Sequence, residues 1–197
     1  GAPLKGRWVP MVEAHDRYGR IRGTAFAVLH NFAGEYPGSN WAYSGISDRD
    51  LFAAGDEAGA ELLRAAMKRL TSGGYLFNAK AALPGLRPGE PVDPTVQVAN
   101  SSAHEQCWAL HFTATLGATD VAHDTLSVRV PPRRALGAAF RLTAPEPSGD
   151  GLLVLRFELA DPSGVVDQIE TGAVIWANAQ LAAPPRNPYE DCSLSRG

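Results

Sequence analysis

Residues 152–161 read LLVLRFELAD, and their alternation decides the fold. Successive side chains of a strand point to opposite sides, so Leu153, Leu155, Phe157 and Leu159 share one face. Val154, Arg156 and Glu158 share the other. One face is core and the other largely solvated, as in an antiparallel sheet packed on one side. Working outward, TVQVAN (95–100), CWALHFTATL (107–116), TLSVRV (125–130), AAFRLTA (138–144) and TGAVIWAN (171–178) are short runs of the same kind. Turn clusters such as EPSGDG and DPSG separate them. Trp108 alternates with Leu110 and Phe112 and is expected to anchor the core, while His111 is expected to be an ordinary sheet residue. Strands this short and closely spaced predict two packed antiparallel sheets of the immunoglobulin-like kind.

Upstream, LPGLRPGEPVDP (83–94) holds four prolines and two glycines and is the clearest boundary in the chain. Before it, VPMVEA (9–14) and GTAFAVLHNF (23–32) flank a polar segment containing Gly19, which predicts a hairpin. NWAYSGI (40–46) reads as a strand. In residues 56–74, Leu62, Leu63, Ala66, Met67 and Leu70 recur at helical spacing. Asp56 is placed to cap that helix, and Gly73 or Gly74 to end it. YLFNAKAAL (75–83) then resumes an extended pattern. The expected organisation is α+β: a partial α/β segment over 1–84, a sandwich over 85–180, and a proline-containing linker or tail over 181–197.

The formal net charge of −3 and the pI near 6.0 speak against nucleic acid as a partner. No run approaches the ~20 apolar residues that span a bilayer, so no membrane role is expected. Phosphate-loop, dinucleotide, HExxH and EF-hand patterns are missing, and neither cofactor nor metal is expected. Cys107 and Cys192 make no disulfide framework; the expectation is a buried core thiol and a loosely held one. The chain begins at Gly1 and ends after a proline-containing tail, and is read as a piece of something larger.

The candidate site is FAGEYPGSNWAYSGI (32–46). Glu35, with Asp48 or Asp50 as partner, has the composition of a carboxylate pair for glycoside cleavage. His30 ends an apolar strand and enters this loop, a position from which a scaffold often presents function. A serine hydrolase would draw on Ser39 or Ser44 with His30, and would need Asp48 or Asp50 as the orienting carboxylate. The binding alternative is a platform of Tyr36, Trp41 and Tyr43 for sugar faces, with Asn40 and Glu35 for hydroxyls. The preferred reading is a glycine-rich turn whose Trp41 packs inward.

LRPGEPV (86–92) followed by VQVANSS (96–102) resembles the opening of Ig-like β-sandwich modules attached to bacterial multidomain glycoside hydrolases. VRVPP (128–132) and FRLTAPEPSGDGLLVLRFELADPSG (140–164) suit the same modules. The resemblance covers about half the chain and rests on structural motifs. The first half is similar to the C-terminal end of the amidotransferase-like, flavodoxin-like domains of those enzymes. Together these imply a non-catalytic accessory region of a larger bacterial carbohydrate-processing protein. Its expected partners are polysaccharide or other domains of the same parent chain. A small hydrolase centred on Glu35 or His30, and an adhesion or scaffolding module, are the alternatives. The compartment stays open between extracytoplasmic and cytoplasmic. The core assignment is tested by substitution: Leu155→Asp and Phe157→Asp are each expected to abolish cooperative thermal unfolding by burying an unpaired charge. Arg156→Ala is expected to cost within about 0.5 kcal/mol, and equal damage from all three would invert the strand's two faces.

Overall fold

The computed structural model describes residues 6–32, 35–47, 50, 55–146 and 151–177. The expected tail over 181–197, with Cys192, and the candidate Asp48 lie outside them. The chain opens with β1 (Gly6–His15) and β2 (Ile21–Asn31), the expected hairpin, followed by β3 (Asn40–Ser44). The three form an antiparallel sheet in the order β1-β2-β3. Asp16 closes the hairpin turn by accepting from the backbone N–H groups of Tyr18 and Arg20 at 2.8 and 3.0 Å. Gly19 supplies the left-handed φ of 75°.

Helix α1 (Glu57–Thr71) is capped by Asp56, whose carboxylate accepts from the Ala58 N–H. It ends before Gly73, which takes φ 71°. Ala66 is buried and packs with Leu62 and Leu70 against Phe26 and Val28 of β2. Leu63 and Met67, expected on the same face, are half exposed. The apolar stripe is wider than the surface the small sheet offers it. Among the described residues this segment is an antiparallel sheet with a helix laid on it, and the three strands before the helix pair without a parallel crossover.

The rest is a two-layer β-sandwich. One layer is β4 (Gly74–Lys80), β6 (Thr95–Asn100) and β9 (Arg134–Ala139), in the order β4-β6-β9. The other runs β5-β11-β10-β7-β8, from β5 (Gly85–Leu86), β11 (Gly164–Ile175), β10 (Gly151–Asp161), β7 (Gln106–Leu116) and β8 (Thr119–Val130). Among the described residues the pairings are antiparallel except the short β5–β11 contact. Leu153, Leu155, Phe157 and Leu159 are fully buried, as their alternation requires. They pack with Trp108, Leu110 and Phe112. Phe112, Phe140 and Phe157 form a ring cluster with centroids 4.7–5.8 Å apart.

Two elements depart from the pattern reading. β4, which the sequence attaches to the first segment, hydrogen-bonds to β6, so the chain enters the sandwich before the proline-rich stretch. Its first residue shows why glycine stands there: a Cβ on Gly74 would come within 2.6 Å of the Trp108 ring. β9 begins upstream of the run expected at 138–144 and ends within it at Ala139, leaving Phe140 and Ala144 buried beyond the strand's end. Cys107, expected in the core, is exposed, because Trp108 takes the inward position beside it.

The first segment is tied to the sandwich by one buried carboxylate. Asp167 on β11 is 1% exposed. It accepts from the Arg7 guanidinium of β1, from the Arg69 guanidinium of α1, and from the Leu76 N–H of β4 at 2.8 Å. Arg7 also donates to the carbonyls of Leu76 and Gln168 at 2.6 and 2.5 Å. Four elements thus meet on one side chain. Asp167→Ala would leave two cations without their counter-charge in a poorly solvated place. The expected cost in urea unfolding is about 3–5 kcal/mol, and a loss below 1 kcal/mol would remove Asp167 from this role.

Candidate functional site

The register of the first sheet settles which way the candidate side chains point. Arg7, His30 and Asn40 are opposite one another across β1, β2 and β3. They share the face turned toward the helix and sandwich. Trp8, Leu29 and Trp41 form the next row, and Pro10, Ala27 and Tyr43 the row after Val9, Val28 and Ala42. These two rows share the opposite face, away from the core. The preferred sequence reading, with Trp41 packed inward, is corrected here. Asn40 is held inward by hydrogen bonds, so strand alternation forces Trp41 and Tyr43 out.

The outer face is aromatic. Trp8, Trp41, Tyr43 and Tyr36 are 47%, 48%, 52% and 57% exposed. The Trp8 and Tyr43 rings lie 5.8 Å apart, and the Tyr36 and Trp41 rings 5.3 Å apart, each pair tilted. Between Pro10 and Tyr43, Ala27 is fully buried. The Trp8 indole N–H donates to Thr24 Oγ1 at 3.3 Å, which fixes one ring's orientation. Gly45 leaves room for the Tyr43 hydroxyl, which would sit 3.2 Å from a Cβ there. Sequence reasoning named Tyr36, Trp41 and Tyr43 but missed Trp8. Only cross-strand register brings residue 8 beside residue 43.

The polar candidates serve the interior. His30 is 1% exposed and stacks on Tyr75 with ring centroids 4.6 Å apart. Its Nδ1–H donates to Asn40 Oδ1 at 2.9 Å, and Asn40 Nδ2 donates to Ser101 Oγ at 3.2 Å. Ser101 Oγ in turn donates to the Gly73 carbonyl at 3.0 Å. The Asn40 amide is therefore committed to the protein rather than set beside Trp41. His30 Nε2 has no hydrogen-bond partner among the described residues. Sealed beneath the sheet, it lacks the access to substrate that a general base needs. Ser39 Oγ donates to the Tyr36 carbonyl and accepts from Asn31, and so stabilises the turn. Glu35 is exposed on that turn. Asn100, which heads an Asn-Ser-Ser sequon, is 2% exposed. Its Nδ2 donates to the carbonyls of His104, Val130 and Pro131, leaving no free amide for a glycan.

Burial pushes the His30 imidazole below its ordinary value of 6.5, against smaller opposing effects from the Asn40 bond and Asp167; Arg7 and Arg69 add to the depression. Burial likewise pushes the Tyr75 phenol up to about 12. The unfolded chain takes up the histidine proton near pH 6.5 while the folded chain resists it. Stability from this group is complete above that pH and is lost as pH falls through it, by up to about 1.4 kcal/mol per unit. His30→Phe keeps a ring against Tyr75 and removes the titration. The slope of unfolding free energy between pH 7 and 5 is expected to flatten in that variant, and an unchanged slope would locate the titration elsewhere.

No protein-family model matches the chain, and no curated protein matches it. Several solved structures are similar to part of the chain at low identity. One is a Paenibacillus sp. cycloisomaltooligosaccharide glucanotransferase complexed with cycloisomaltoheptaose, at 16% identity and TM-score 0.46 over 57% of this chain and 15% of that one. Spo0M, a sporulation control protein from Bacillus subtilis, matches at 15% identity and TM-score 0.43 over 54% and 50%. A glycosyl hydrolase family 2 member from Bacteroides cellulosilyticus matches at 15% identity and TM-score 0.39 over 50% and 15%. The chain thus spans half or less of the length of each.

Proposed function

We propose that this chain is a non-catalytic accessory region of a larger bacterial carbohydrate-processing protein, with an Ig-like sandwich carrying a small sheet that contacts polysaccharide. The observation that carries the reading is the outer face of β1-β2-β3, where Trp8, Trp41, Tyr43 and Tyr36 stand half exposed and mutually braced. Large rings left in solvent forgo a burial worth ~1.5–3 kcal/mol for a sizeable apolar side chain. Four in one place, on a sheet whose other face is already filled, form the kind of apolar patch that marks a contact surface. Sugar rings present flat C–H faces edged by hydroxyls, which suit aromatic side chains with an apolar body and a polar tip. The platform is shallow, as expected for holding a chain rather than cutting it. The proposed contact residues are Trp8, Tyr36, Trp41 and Tyr43, with Asn40 acting beneath them as a brace for the sheet.

Affinity electrophoresis against a panel of neutral and acidic polysaccharides tests the reading. Retention of the parent protein by at least one polymer is expected. Trp8→Ala and Trp41→Ala should each weaken it about tenfold, equivalent to ~1.4 kcal/mol, with melting temperatures within about 4 °C of the parent. Absence of retention on every polymer, or retention indifferent to both substitutions, would reject the platform.

A further inference from the structure

A second feature shares no residue with the platform. Between the turn after β2 and the outer side of β4-β6-β9 lies a crevice of about 270 Å³. Its wall on the sheet side follows the register: Tyr75, Ala99 and Ala135 are opposite one another across the three strands. Phe77 continues that wall and is stacked by Phe32 at 4.4 Å. Pro37 and Gly38 form the facing side, and Gly38 takes φ 81° to turn the backbone there.

The mouth is cationic. Arg133 and Arg134 line it, both exposed, and no carboxylate pairs with either among the described residues. They stand on a stiff turn. Pro131 and Pro132 precede them, and the Pro131 carbonyl is held by Asn100 Nδ2 at 3.2 Å. Arg133 itself sits at φ 53°, a conformation that a glycine or asparagine would adopt at lower cost. The guanidiniums are thus presented from a pinned backbone, which lowers the entropy lost when they engage a ligand.

An apolar wall of rings and methyls beneath two unpaired guanidiniums selects its occupant by charge and shape. We propose that this crevice binds a small organic carboxylate with a flat, apolar-faced body. The carboxylate takes hydrogen bonds from Arg133 and Arg134, charge-assisted bonds being about twice as strong as neutral ones. The flat body slides between Pro37 and the Phe77–Tyr75 wall. The volume falls just under the ~300 Å³ lower end for ligand pockets, which limits the occupant to roughly one six-membered ring. Both an aromatic acid and a uronic-acid residue have this chemistry.

The test is an amide-detected NMR titration of the full chain with benzoate, glucuronate and benzamide, following the Ala99, Asn100 and Ala135 signals. Saturable shifts with benzoate, at least about tenfold tighter than with the neutral benzamide, are expected from the charge-assisted contacts. Saturation by glucuronate at the same amides would support the site and identify a saccharide source. Arg133→Gln and Arg134→Gln should each weaken acid binding about tenfold. Ala135→Leu, on an exposed edge strand, should fill the crevice and abolish binding while melting stays near that of the parent. The proposal is overturned if neither acid saturates, if benzamide binds as tightly as benzoate, or if Ala135→Leu retains full binding in a folded protein.

Discussion

Asp167 is the point on which the arrangement of the chain depends. A carboxylate withdrawn from water is tolerated only when paired and hydrogen-bonded, and here two guanidiniums and a backbone N–H supply that. Because the donors come from β1, α1 and β4, satisfying one charge fixes the position of three elements at once. The apolar contacts across this junction are few: Phe32 packs on Phe77 and His30 stacks on Tyr75. Hydrophobic burial is nondirectional and would allow the small sheet to slide on the sandwich. The ion cluster has geometry, and geometry gives the junction its register.

That register propagates to the exposed surface. Arg7 reaches Asp167 from the inner face of β1, so Trp8 stands on the outer face. His30 and Asn40 continue the inner row, so Trp41 is turned out with Trp8. The inner polar row and outer aromatic row are two expressions of one strand alternation. The stack of His30 on Tyr75 closes the same junction from within, and the burial of that imidazole is what makes the junction sensitive to protons.

The sandwich was legible because alternation within one strand is a local property: LLVLRFELAD carries its inside and outside on its own residues, and the Trp108, Leu110 and Phe112 run does too. The hairpin and the capped helix were legible for the same reason. What could not be read was set by partners distant in sequence. YLFNAKAAL looks identical whether it pairs with the first sheet or with β6, and the decision rests on contacts such as Gly74 against Trp108. The direction of Trp41 depends on which face of β3 meets the sandwich, which Asn40 and Ser101 decide across 61 residues. The aromatic composition of the loop was visible, but membership of Trp8 in the same surface required the β1–β2 and β2–β3 registers. His30 was picked out by its place at a strand end, and only the fold showed it to be sealed.

The ion cluster also orders events in time. Arg7 and Asp167 are 160 residues apart, so a ribosome completes the first sheet and α1 well before their anchor exists. At ~5–20 residues per second, the roughly hundred residues between the end of α1 and Asp167 take about 5–20 s to add. During that interval Arg7 of β1 and Arg69 of α1 emerge without their shared carboxylate, while Tyr75 of β4 is already present to cover His30. The nascent chain therefore carries two guanidiniums without their counter-charge until β11 arrives. Synthesis speed over residues 72–167, rather than the stability of the finished protein, sets how long a quality-control factor has to find it.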